Sequence, residues 1–138
     1  MGLSYTEFKE YVRQREFDNY RTYLPMVNVF NEFYEEDDIK YFYPINIFNE
    51  KPTELLFFLE QGYLVVRFND NKIILEQYNC KLIKKTLTAP LHNNGEQELK
   101  LIYDDGNELT LKNLDDSNEN WLDEYTCSIR ELYKILKN

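Results

Sequence analysis

A chain of 138 residues is long enough for one domain with its own core, without staples of disulfide or metal. Its formal net charge of −9 opposes phosphate backbones and anionic headgroups, so binding of nucleic acid or a membrane surface is not expected. Aromatic residues make up 16% of the chain, and their area either builds a small core or, half wet, offers a contact surface.

Cys80 and Cys127 are the only cysteines. They form no disulfide framework, and Met1–Glu10 carries Glu7, Lys9 and Glu10 in place of a signal peptide's apolar stretch. The longest apolar run, Leu55–Leu59, is far too short to span a bilayer. A cytoplasmic protein with reduced thiols and no membrane insertion is the expectation. Scarce Ala and Gly beside plentiful Asn, Lys, Ile and Tyr fit an AT-rich bacterial genome.

The N-terminal third reads as helix. Ser4-Tyr5-Thr6-Glu7 has the capping-box pattern, opening a helix from Tyr5 to about Phe17 with Phe8 and Val12 on its apolar side. Tyr20, Tyr23, Leu24, Val27, Phe30 and Tyr34 recur at helical spacing, with Pro25 placing the start near Thr22–Pro25. The acids Glu35 to Asp38 oppose the helix dipole and end it.

Strand patterns follow. Ile39–Tyr43 is β-branched and aromatic and is closed by Pro44. Glu54–Glu60, Tyr63–Phe68, Lys72–Tyr78, Lys81–Thr88, Gln97–Tyr103 and Glu108–Leu114 are the others, with turns at Gln61-Gly62, Asn69-Asp70-Asn71 and Asp104 to Asn107. In the last pair Leu99, Leu101 and Tyr103 share a face with Leu109 and Leu111, so one side is packed and one wet. Asp116, with Glu119 three positions on, is the expected cap of a closing helix, Asn118–Leu136. That helix carries Trp121, Leu122, Tyr125, Ile129, Leu132, Tyr133 and Leu136 on one side.

The predicted architecture is a single α+β domain. Residues 1–36 form a helical extension, 39–114 an antiparallel β-core of about seven strands, and 116–137 a C-terminal helix. This order of elements from Ile39 to Leu136 resembles that of pleckstrin-homology-like domains, and Trp121 is similar to the tryptophan those final helices often carry. The resemblance implies an antiparallel β-barrel or sandwich whose open end the last helix caps, with the N-terminal helices as an addition. The chain also resembles a family of small bacterial proteins that carries an unknown-function label.

Sites are few. Phosphoinositide binding, the best-known use of the resembled fold, needs a basic first hairpin, and here only Arg67 stands near Glu60. Lys81, Lys84 and Lys85 form the one compact basic patch, read as charges that protect an edge strand. His92 is the single histidine, with no catalytic or metal-binding partner spaced beside it. The pairs Asp104-Asp105 and Asp115-Asp116 read as turn and cap. The candidate interaction surface is aromatic: Tyr34, Tyr41, Tyr43 and Phe48 crowd together with Phe42, and either pack the helices onto the β-core or anchor a partner. The expected function is a non-catalytic protein-interaction module, binding a protein partner or a second copy, with no cofactor and no metal. The alternative is an acidic inhibitor of the immunity type, neutralising a basic toxin or nuclease.

Overall fold

The computed structural model describes residues 3–91 and 95–137. Two helices, α1 (Tyr5–Arg13) and α2 (Tyr20–Phe33), precede a single 3₁₀ turn, Glu36–Asp38. Seven strands follow: β1 (Tyr41–Ile45), β2 (Glu54–Phe58), β3 (Tyr63–Asn69), β4 (Lys72–Tyr78), β5 (Leu82–Thr88), β6 (Glu98–Tyr103) and β7 (Glu108–Lys112). A second 3₁₀ turn, Glu119–Trp121, leads into α3 (Leu122–Ile135). The strands make two antiparallel meanders, β1-β2-β3-β4 and β5-β6-β7, and do not close into a barrel.

The four-stranded sheet is apolar on both faces, and this explains the unbroken run Leu55-Leu56-Phe57-Phe58 in its interior. Along β1, β2 and the first half of β3, side chains alternate between two cores. Phe42, Leu55, Phe57, Leu64 and Val66 meet Tyr5, Phe8, Val12, Tyr23, Met26, Val27 and Phe30 of α1 and α2. Tyr43, Leu56, Phe58 and Tyr63 point the other way, to Leu99, Leu101, Tyr103 and Leu111 of the three-stranded sheet and to Tyr125, Ile129 and Leu132 of α3. The helices are therefore half of the hydrophobic structure: Phe30 stacks on Phe57 with ring centroids 4.0 Å apart.

Several boundaries depart from the sequence pattern, each for a local reason. α1 stops at Arg13, short of Phe17, in a Schellman closure: the amides of Arg15 and Glu16 donate to the carbonyls of Val12 and Tyr11, with Arg15 left-handed at φ 59°. α2 begins at Tyr20, so Pro25 lies inside it. The proline's missing N–H leaves the carbonyl of exposed Arg21 to solvent. β1 runs through Pro44, which an outer strand tolerates because one side of its backbone needs no ladder partner.

β5 carries a bulge between Leu82 and Lys84, which breaks strict alternation, turns Lys85 rather than Lys84 to the inner face shared with Leu82, and leaves Ile83 exposed. The Lys85 ammonium donates to the carbonyls of Tyr133 (2.5 Å) and Leu136 (2.9 Å), neutralising the negative end of α3. Of the basic patch, Lys85 is thus a helix cap at the edge strand of the second sheet, while Lys81 and Lys84 are exposed. Arg67 is likewise engaged, by Glu76.

Asp116 is not the helix cap. Asn118 is, its side chain accepting from the Trp121 amide at 3.1 Å. Asp116 is instead 8% exposed, and one carboxylate oxygen accepts from the Tyr43 hydroxyl and the Lys112 amide, each at 2.8 Å. Burial pushes its carboxyl up to about 6. No helix among the described residues is long and apolar enough to cross a membrane.

Candidate functional site

The four aromatic residues singled out by the sequence do not form one patch. Tyr43 is corrected to core: it is 0% exposed, on the face of β1 that meets Tyr125, because neighbouring strand residues point to opposite faces and both faces are covered. Tyr34 stacks on Phe30, and its hydroxyl donates to the side chain of Gln77. Tyr41 lines a shallow cleft of about 400 Å³ under the start of α1, with Glu36, Asp37 and Glu131. Tyr34 and Tyr41 thus flank the turn Glu36–Asp38, whereas Phe48 lies in a separate cleft. His92 lies outside the described residues.

The Phe48 cleft has a volume of about 710 Å³. Three segments distant in sequence build it: the turn after α1, the loop from β1 to β2, and the turn before α3. Each is fixed by its own hydrogen bonds. The Schellman closure of α1 sets Phe17 against Tyr11 and Tyr23, at 5.9 and 5.5 Å between centroids. In the loop, Asn46 is left-handed at φ 66°, a conformation Asn adopts more readily than other side-chain-bearing residues. The Asn49 amide donates to the carbonyls of Asp115 (3.3 Å) and Ser117 (3.2 Å), and the Asn118 amide to the carbonyl of Phe48 at 2.8 Å. These bonds stitch the loop to the start of α3 and hold Phe48 flat on Trp121, centroids 4.1 Å apart and planes 11° from parallel.

The result is an aromatic floor of Tyr11, Phe17, Phe48 and Trp121, each partly exposed, under a rim of exposed Glu16, Asp18 and Glu50. Among the described residues no lysine or arginine lines it. Aromatic faces carry the negative part of a quadrupole, so floor and rim both favour a cation. This cleft was not legible in the sequence, because Phe17 reads as the end of a helix, Trp121 as part of a helix face and Phe48 as part of a different cluster. The one local signal was Glu16-Phe17-Asp18, acid on either side of an aromatic ring.

Conventional reactive groups lie elsewhere. Asp116 is closed in by Tyr43 and the end of β7, and burial pushes the Cys80 thiol up to about 11, away from thiolate chemistry. Among the described residues no group of three His, Cys, Asp or Glu side chains could hold a metal ion.

Fold and cleft together define an α+β domain of two antiparallel sheets with a preformed aromatic, acid-rimmed cleft. Residues 4–127 match the model of the family described as "Protein of unknown function (DUF3908)", and the chain belongs to that family. No curated protein and no solved structure matches it.

Proposed function

We propose that the protein is a non-catalytic interaction module, and that the Phe48–Trp121 cleft receives a lysine or arginine side chain of a basic protein partner. The observation that carries this is the pairing of an aromatic floor with Glu16, Asp18 and Glu50 and no basic residue in the lining. A cation over an aromatic face contributes about 0.5–1 kcal/mol when exposed and about 2 when desolvated. The rim carboxylates add salt-sensitive attraction, and the net charge of −9 steers a basic protein toward the surface. An inhibitor that neutralises a basic protein is one form of such a module. The β-core is read as pleckstrin-homology-like; a four-stranded meander, a three-stranded meander and a C-terminal helix in that order support it. Acidic charge argues against phosphoinositides or nucleic acid as the partner.

Trp121 is the chain's one tryptophan, so its fluorescence reports on this cleft alone. Titration with arginine-rich and lysine-rich peptides is expected to give a saturable change that weakens as salt is raised. The triple variant Glu16→Gln, Asp18→Asn, Glu50→Gln is expected to lose it while melting at the same temperature. No saturable change, or equal binding by the triple variant, would overturn the proposal.

A further inference from the structure

We propose that two copies of this chain pair along β4, antiparallel about a two-fold axis at Ile74, joining their four-stranded sheets into one. The proposal is independent of the cleft, which lies on other elements.

Four strands are outermost in their sheets: β1, β4, β5 and β7. An open edge invites pairing with another chain, and folded proteins blunt it with proline, bulges, inward lysines or short strands. β1 contains Pro44, whose carbonyl already accepts from the Tyr125 hydroxyl at 2.5 Å. β5 has its bulge, with Lys84 and Lys85 beside it. β7 is five residues long, and the amide of Lys112 at its end is taken by Asp116. β4 has none of these devices. It is seven residues long, holds full register with β3, and carries Ile73-Ile74-Leu75 at its centre.

Its geometry fixes how a second copy would sit. Asp70 and Asn71 both have positive φ, 51° and 59°, which makes the β3–β4 connection a two-residue type I′ turn. Asn69 and Lys72 are then the closing hydrogen-bonded pair. Alternation turns the backbone groups of Lys72, Ile74, Glu76 and Tyr78 toward β3 and those of Ile73, Leu75 and Gln77 outward.

An antiparallel partner must set outward groups against outward groups, so the axis passes through a residue and not between two. An axis at Glu76 opposes two like charges, and one at Leu75 sets Ile74 against Glu76. An axis at Ile74 places Lys72 opposite Glu76 twice, Ile73 opposite Leu75 twice, and Ile74 on itself. Opposite charges directly across a pair of strands stabilise it, and like charges do the reverse. The contact is isologous, so it closes as a dimer and does not propagate. Phe33, 68% exposed and sharing a cleft with Gln77 at the end of β4, adds apolar area beside the seam.

Sedimentation equilibrium of the full chain across the micromolar range tests this, and a concentration-dependent dimer is expected. Ile74 belongs to neither core. Ile74→Lys is therefore expected to keep the fold and raise the dissociation constant roughly 100-fold, by setting two like charges on the axis. Lys72→Glu and Glu76→Lys are each expected to weaken self-pairing, and an equimolar mixture of the two to restore a dimer. Amide exchange of the unaltered chain gives the same answer without substitution, with the amides of Ile73, Leu75 and Gln77 slowing as concentration rises. A monomer at every concentration, a dimer indifferent to Ile74→Lys, or a mixture that stays monomeric would overturn the proposal.

Discussion

Gly62 and Gly106 both have positive φ, 80° and 87°, yet they tolerate change differently because their surroundings differ. A Cβ on Gly62 would overlap the backbone carbonyl oxygen of Tyr78, which is held in the β3–β4 ladder and cannot swing aside. A Cβ on Gly106 would meet nothing within 4 Å. Gly106→Ala is expected to cost about 1 kcal/mol, the strain of the left-handed conformation alone. Gly62→Ala is expected to cost about 3 kcal/mol or more, because backbone must also move. Thermal melts of the two variants measure the difference, and equal losses would contradict the Tyr78 contact.

Asp116 makes a second prediction at this scale. With its carboxyl pushed from 3.8 up to about 6, the folded state holds a proton that the unfolded chain has already released. Its stabilising contribution is complete below about pH 4 and fades as pH rises through about 6, a loss on the order of 2 kcal/mol. Asp116→Asn keeps an oxygen for Tyr43 and Lys112, since both donate to the same carboxylate oxygen. Denaturant melts from pH 4 to pH 7 are expected to show a fall in the parent that is larger, by this amount, than in the variant. Parallel curves would remove Asp116 from the account.

Among the elements, the 3₁₀ turn before α3 does two jobs through one side chain. The Asn118 oxygen caps the Trp121 amide, and its nitrogen holds the Phe48 carbonyl. Asn118→Ala is expected to cost about 1–2 kcal/mol from the lost cap and the lost loop bond together. It should also release Phe48 from Trp121, so a shift in Trp121 emission should accompany the lower melting temperature. Lost stability with unchanged emission would separate the cap from the cleft. Capping was legible in part: Ser4 and Glu7 form the box their spacing predicts, at 3.0 and 3.1 Å. The spacing Asp116 to Glu119 obeyed the same rule and misled, because a buried tyrosine hydroxyl on β1, distant in sequence, competed for the same carboxylate.

For the whole molecule, the α+β class, seven strands and a closing amphipathic helix followed from the sequence by itself. Period-two and period-3.6 patterns are local, and so are the turns at Gln61-Gly62, Asp70-Asn71 and Gly106 that separate the strands. Membership of the strands in two sheets was decided by tertiary structure, as was the covering of the first sheet on both faces. A run such as Leu55 to Phe58 states that a strand is buried without stating what buries it. For the same reason Tyr43, Tyr41 and Tyr34 looked alike in sequence and part company in space. The cleft depends on three segments far apart in sequence: the amides of Asn49 and Asn118 join two of them, and the ring of Phe17 meets Phe48 from the third. No periodicity encodes such a meeting, because it exists only once the two cores have packed.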